Sequence, residues 1–387
     1  MPKPIYNRTP NSKDPQLLES LVQLLRRGLP MHLQNTRITS EEAYTLLSYA
    51  AVNQTSLEGA CAELTDAPSG NRLREVLLPA LPACPQLQRR LNTLLRWQLP
   101  ARVCRGKGRY ELAIDLTLIP YHGQPAVAST EIVRSAAKSG TTHFHGYATA
   151  AIVHHRQRYV VAVSFVTAGE TMVEIVRRLL DRVRRLGICV RCVFLDKGFY
   201  AADVFRTLTR RHLSYVIPLR VGQRHVLYHR RGSARTTHTL THAHGGAYTV
   251  QVRLIRRYRY NRHKRRKVWW LGYAVGGWAC RLSLHQVREW YRRRFGIETS
   301  YRQMHQVRAR TSSTSPALRF LFIGLALILV NLYVALRTCV TTRRYRATQR
   351  RVRPATFRCL IFRLRQEIER LLGTCSLKLY RYSLSVS

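Results

Sequence analysis

Acid is what this chain lacks. Of its 387 residues only 20 are Asp or Glu, against 65 Lys and Arg, which leaves a formal net charge of +45 at pH 7. So large an excess repels itself unless a polyanion supplies the missing charge, so nucleic acid is the leading partner class and an anionic membrane surface the second. Long apolar runs are scarce too. The most apolar stretch, Arg319 to Arg337, is unbroken only from Phe320 to Val330, eleven residues, before Asn331 interrupts it. That is short for a membrane span, so the segment reads as a buried core helix and no membrane is expected. The nine cysteines are odd in number and scattered, and no N-terminal secretory signal is visible. A disulfide framework is therefore not expected, and the setting reads as reduced and cytoplasmic, in association with the nucleoid. Cys189 and Cys192 form a lone CxxC inside the strand-like ICVRCVFL, where residues three apart point to opposite faces, so buried thiols are expected rather than zinc.

What is present is globular, at 45% hydrophobic and 22% charged, and long enough for two or three domains. Residues 1–104 read as a helical domain. Within it TSLEGACAEL and NRLREVLLPAL flank the breaker DAPSG, a pattern shared by a helix-turn-helix DNA-binding unit and by a plain helical bundle. Residues 105–340 read as α/β. Three strand-like runs in a meander (ELAIDLTLIPYHG, HGYATAAIVHH, RYVVAVSFV) precede the amphipathic helix TAGETMVEIVRRLLDRVRRLG, the strand RCVFLDKGFY, the helix AADVFRTLTRR and the strand SYVIPLRV. A polar, Arg- and His-rich insertion at 221–267 reads as β-rich and facing nucleic acid. The strand VWWLGYAV and one long helix, LHQVREWYRRRFGIETSYRQMHQVRAR, come next. Residues 341–387 form a basic tail with one amphipathic helix.

Against so few acids, a carboxylate inside an apolar strand stands out. Asp115 interrupts the first strand and Asp196 ends the fourth. A buried Asp is costly unless it is paired or holds a metal. Neighbouring strands would bring these two together, and a following helix could deliver Glu298. On an unbroken helix Tyr291, Arg294, Glu298 and His305 fall within roughly 60° of one direction. Glu298 could equally form a solvated ion-pair ladder with Arg294 and Arg302. Three convergent carboxylates on a basic platform suit Mg²⁺ or Mn²⁺, and two such ions roughly 4 Å apart can drive phosphodiester cleavage.

This combination resembles the RNase H-like core of DDE transposases, over roughly Glu111 to Leu336. The helix is similar to the YREK signature of the insertion-sequence group often called IS-four-like. That signature is Tyr, two residues, Arg, three residues, Glu, six residues, Lys; here it reads Tyr291, Arg294, Glu298 and His305. The resemblance implies a mixed five-stranded sheet with flanking helices. It implies Asp115, Asp196 and Glu298 as catalytic ligands of two divalent ions, with Tyr291 and Arg294 on transposon-end phosphates. His305 departs from the pattern: a neutral imidazole carries less charge than Lys, and Arg302 or Arg308 could stand in. Lys138, near a loop, could contact a further phosphate. The implied partners are double-stranded DNA, as terminal inverted repeats and as target, and a second copy of the chain in the synaptic complex. The implied reaction is cleavage at transposon ends and transfer of the 3′-hydroxyl into target DNA.

Other groups have simpler expectations. Asp181 and Asp203 read as helix-surface acids. His143, His145, His154 and His155 look like a metal cluster but lie in or beside adjacent strands, where ordinary packing is expected. Trp269, Trp270 and Trp290 are expected in the core.

Overall fold

A computed structural model describes residues 17–106, 108–125, 130–153, 158–241, 247–260, 266–347 and 356–375. The chain divides into two compact units. Among the described residues, one comprises Gln88–Met304 and 327–347, and the other 17–87, His305–Ala326 and 356–375.

The second unit is helical. It contains α1 (Leu17–Gly28), α2 (Ser40–Val52), α3 (Leu57–Ala62) and α4 (Gly70–Ala80). Thr39, Ser56 and Ser69 each cap the helix that follows, accepting from Glu42, Gly59 and Arg72 N–H groups. The pair with the helix-turn-helix pattern is α3–α4. Gly70 is required there, because a Cβ at that position would lie 2.4 Å from Glu58 Cα. The tail contributes α12 (Phe357–Leu372), numbered last in the chain. Its Glu367 accepts from Leu18 N–H at 2.7 Å and its Glu369 from the Tyr49 hydroxyl at 3.2 Å. Part of the segment expected to be a basic tail is thus built into the helical unit.

The first unit carries α5 (Cys84–Trp97, from Gln88 on), α6 (Ala101–Cys104) and a sheet of nine strands among the described residues. In chain order come β1 (Tyr110–Pro120), β2 (Val133–Lys138), β3 (Thr141–Ile152), β4 (Val160–Val166), α7 (Met172–Arg185), β5 (Val190–Leu195), α8 (Ala202–Arg210) and β6 (Tyr215–Pro218). After them come β7 (Ala234–Thr241), β8 (Ala247–Tyr260), β9 (Arg266–Gly276), α9 (Leu284–Arg292), α10 (Phe295–His305, up to Met304) and α11 (Pro316–Ala347, from Leu327 on). The expected five strands are present as β4-β3-β1-β5-β6, the first three antiparallel and the β1-β5 and β5-β6 pairs parallel. The insertion does not stand apart as the five-stranded expectation implied. Its strands β7 and β8 extend the same sheet through β9, the strand expected after it, with β9 antiparallel to β6, β8 to β9 and β7 to β8. Strand β2 was not expected. It forms a hairpin with β3 through Ser139 (φ 53°) and Gly140 (φ 77°), a two-residue turn of the kind that matches strand twist.

The sheet is buried by α7 and α8, whose apolar stripes include Ile175, Leu179 and Val183, and Val204, Phe205 and Leu208. Among the described residues strand β4 pairs only with β3. Three side-chain amides meet its other side. Asn331 of α11 accepts from Val160 N–H at 2.9 Å and donates to its carbonyl at 2.8 Å. Asn92 does the same for Val163 at 2.9 and 2.8 Å, and Gln88 accepts from Phe165 N–H at 3.0 Å. The polar break in the longest apolar run thus has a backbone to serve. The Pro316–Arg337 part of α11 is long and apolar enough to cross a membrane, with mean hydropathy 2.2, and 83% of its most apolar window is buried in the protein.

Candidate active site

The sheet register brings the two aspartates together. In the parallel β1–β5 pair Ile114 is opposite Leu195, so the next residue on each chain is a carboxylate, Asp115 and Asp196. Asp115 is mostly covered, at 13% side-chain exposure, and Asp196 is open at 40%.

The long helix expected over this region is two helices. α9 starts at a capping box, in which Ser283 and Gln286 satisfy each other's backbone N–H, and ends at Arg292. Arg293 and Arg294 form a tight turn held by three-residue bonds, Arg294 N–H to the Tyr291 carbonyl and Ile297 N–H to the Arg294 carbonyl, both 2.9 Å. α10 then begins at Phe295. The break invalidates the single helical wheel, and tertiary bonds replace it. Tyr291 donates its hydroxyl to the Leu195 carbonyl at 3.2 Å, beside Asp196. Tyr301 donates to the Asp115 carbonyl at 3.0 Å and is 2.7 Å from the Thr149 hydroxyl on β3. Gly296 lets α10 come this close: a Cβ there would sit 3.1 Å from Val153 Cγ1.

So braced, the turn aims Arg294 into the acids. Its Nη2 donates to Asp115 Oδ2 at 2.9 Å and lies 3.8 Å from Asp196 Oδ1, while Nη1 donates to Glu298 Oε1 at 2.7 Å. One guanidinium, 7% exposed, meets all three carboxylates. The neighbouring Arg293 pairs at 2.8 Å with Glu111, a carboxylate with no exposed surface at the start of β1.

The remaining named residues are distributed as follows. Tyr291 is buried, with its hydroxyl committed to Leu195. Arg302 is exposed on α10, and His305 is exposed at its last residue. Lys138 is exposed at the end of β2. Sequence reasoning missed Tyr301, Glu111 and Arg293. Glu111 carried a usable signal, as a second acid in the Asp115 strand; the role of Tyr301 depends on a bond across 186 positions. His143 and His145 lie on β3, with the buried His145 ring edge-on to Tyr121 at 5.2 Å; His154 and His155 lie outside the described residues. Cys189 is exposed and Cys192 buried. Asp181 pairs with Arg211 at 2.7 Å and Asp203 with Arg206 at 3.3 Å. Trp270 is buried, but Trp269, opposite Arg257 in the β8–β9 pair, is 43% exposed, against the core expectation.

The sequence profile of the transposase DDE domain matches residues 106–332, and these span both aspartates, the insertion and Glu298. The chain belongs to this family. Among solved structures, a cryo-EM structure of the piggyBac transposase synaptic complex with hairpin DNA is similar, with a TM-score of 0.54 and 14% identity. The match covers 94% of this chain and 80% of that one, and at this identity it is a likeness of fold. A search of curated proteins returned no match. DDE transposases are phosphoryl-transfer enzymes of DNA transposition and generally use divalent metal ions.

Among the described residues no three His, Cys, Asp or Glu side chains stand close enough together to hold an ion. In this transposase the acids meet at Arg294 rather than at one another. Their chemistry nonetheless fits a hard divalent cation: three carboxylates with oxygen donors, already converging on a positive charge. Asp115 reports the same demand. Burial is the largest influence on its carboxyl, opposed by Arg294 and by the Leu116 N–H, with Asp196 and Glu298 adding to the rise; its pKa goes from 3.8 to about 6. Burial works against the Arg294 charge, but Tyr291 and the three acids outweigh it and hold its pKa up.

The Asp115 shift has a measurable consequence. The unfolded chain ionises this carboxyl above about pH 4, the folded chain only above about 6. The stability it contributes is therefore complete below 3.8 and is lost as pH rises through about 6. Asp115→Asn removes this loss. Without divalent metal the variant is expected to exceed the wild type by about 3 kcal/mol at pH 8, with the gap closing towards pH 4. Denaturant unfolding in EDTA across that range measures it; a gap independent of pH would contradict the assignment.

Proposed function

We propose that this transposase hydrolyses the phosphodiester at transposon ends and then uses the freed 3′-hydroxyl to attack target DNA, acting as a homodimer in a synaptic complex. The observation that carries the reading is the convergence of Asp115, Asp196 and Glu298, from β1, the end of β5 and α10, on a single cation. Two divalent ions held by these acids would supply an activated water or hydroxyl and stabilise the leaving oxygen. The chain's own residues set the stage. Tyr291 and Tyr301 fix the α9–α10 turn against the backbone beside each aspartate. Asp196 and Glu298, at 40% and 39% exposure, present the open side of the triad to an incoming phosphate. Arg302, Lys138 and His305 are exposed and available to the DNA backbone, where each neutralised phosphate releases counterions.

The β8–β9 ribbon supports the choice of DNA. Its register pairs Tyr258 with Val268 on one face and Arg257 with Trp269 on the other, with Tyr260 opposite Arg266. Tyr258, Tyr260 and Trp269 are 44%, 66% and 43% exposed. A two-stranded ribbon that is open, aromatic and basic on both faces suits a duplex groove. The α3–α4 pair is a second candidate for DNA contact, and the nucleoid the corresponding place in the cell.

A joining assay tests the reading. Supplied with 3′-hydroxyl donor ends, a supercoiled plasmid and Mg²⁺, the protein should yield donor covalently joined to plasmid. Nicking without joined product would instead indicate an RNase H-like nuclease that only hydrolyses.

A further inference from the structure

The three acids of the triad share one counter-ion, and that counter-ion belongs to the chain. The Arg294 guanidinium is 7% exposed and spends both terminal nitrogens on Asp115, Asp196 and Glu298. Its Nε is buried without a hydrogen-bond partner, so the hydrogen bonds that hold the guanidinium are those to the carboxylates. A divalent cation and this guanidinium need the same oxygen atoms: Asp115 Oδ2 and Glu298 Oε1 each already accept from it, at 2.9 and 2.7 Å. A phosphate is the anion best able to draw a guanidinium away, because it accepts two parallel N–H bonds from the planar fork.

We infer that Arg294 is an internal competitor for the metal ions, displaced when a DNA phosphate engages it, so that metal loading and DNA binding are coupled. The inference rests on the proposed assignment of the triad as metal ligands. In the DNA-free protein the acids are engaged and partly compensated by Arg294 and bind divalent metal weakly. When a backbone phosphate takes the guanidinium, the carboxylates are released to the metal. Coupling of this kind is reciprocal, so metal must tighten DNA binding by the same factor that DNA tightens metal binding. Metal-dependent cleavage is thereby withheld until a duplex is in place.

Mn²⁺ binding, followed by the loss of the free-ion signal in electron paramagnetic resonance, tests this without any turnover. The forms compared are the wild type, Arg294→Gln and Arg294→Lys, each with and without a short double-stranded oligonucleotide. Asp115→Asn with the same oligonucleotide gives the baseline for ions held by the DNA or elsewhere on the protein. Arg294→Gln is expected to bind Mn²⁺ on the order of tenfold more tightly than the DNA-free wild type. The duplex should tighten the wild type by a similar factor and leave Arg294→Gln unchanged. Arg294→Lys, which keeps the charge but cannot span three carboxylates, should fall between them. If Arg294→Gln does not fold, the wild type alone decides, since Mn²⁺ affinity that is indifferent to the duplex overturns the coupling. Mn²⁺ binding that Asp115→Asn removes but that ignores both Arg294 and DNA overturns the coupling and leaves the metal site standing. No Mn²⁺ binding above the Asp115→Asn baseline in any form overturns both.

Discussion

Asp115→Asn, Asp196→Asn and Glu298→Gln should each reduce strand cleavage by on the order of 10³-fold or more while leaving DNA binding largely intact. Each change removes one negative charge and keeps the shape of the side chain. The charge stabilisation a bound divalent ion gives a phosphoryl transition state is worth several kcal/mol, and 1.36 kcal/mol is a factor of about ten in rate. The three acids come from separate elements, two adjacent strand ends and a helix, and meet at one side chain, so loss of any one alters a shared site. DNA affinity in a chain of net charge +45 rests on its many cations, none of which these variants replace. The check is Mg²⁺-dependent nicking of a labelled duplex, paired with a gel-shift titration. Nicking by all three variants at the wild-type rate would end the metal-site reading.

Arg294→Ala carries the second large effect, on stability. It strips the common partner from three carboxylates, one of them only 13% exposed. Breaking a buried ion pair by removing one member typically costs about 3–5 kcal/mol, because the remaining charge is left uncompensated. Here the residual charges also repel one another. The variant should therefore unfold at markedly lower denaturant concentration than wild type at pH 8 in EDTA. Two treatments should recover part of the loss: acidification, which protonates Asp115 at a higher pH than in the wild type because Arg294 no longer holds its pKa down, and millimolar Mn²⁺, which substitutes one cation for another. A loss of the same size at all pH values and metal concentrations would mean that Arg294 matters only for packing.

How much of this could be read from the sequence follows from the range of the interactions involved. The order β1, β3, β4, α7, β5, α8, β6 was legible because each element carries its own apolar period. Asp115 and Asp196 were legible because acids are rare here and both interrupt apolar strands. The α9–α10 break was not. Nothing local in Trp290–Arg302 marks it apart from Gly296, and the bonds that hold it, Tyr291 to Leu195 and Tyr301 to Asp115, span 96 and 186 positions. Tyr291, which the resemblance places at a transposon-end phosphate, has its hydroxyl on the Leu195 carbonyl at the end of β5 in the DNA-free chain. Strand β2 was hidden by its polar composition; only the Ser139–Gly140 turn betrays it. The partnership of α12 with α1 and α2 depends on contacts across more than 300 positions, such as Leu18 to Glu367, and no local pattern could announce it.

Strand β4 ends the row of five at the heart of the sheet, a place where an unpaired strand normally offers a template to any other extended chain. Here Asn331, Asn92 and Gln88 occupy the hydrogen-bonding positions at Val160, Val163 and Phe165. A second molecule cannot add a strand at that side without first displacing three amides from two different helices. Edge-to-edge pairing through β4, a route to runaway sheet growth, is thereby closed off.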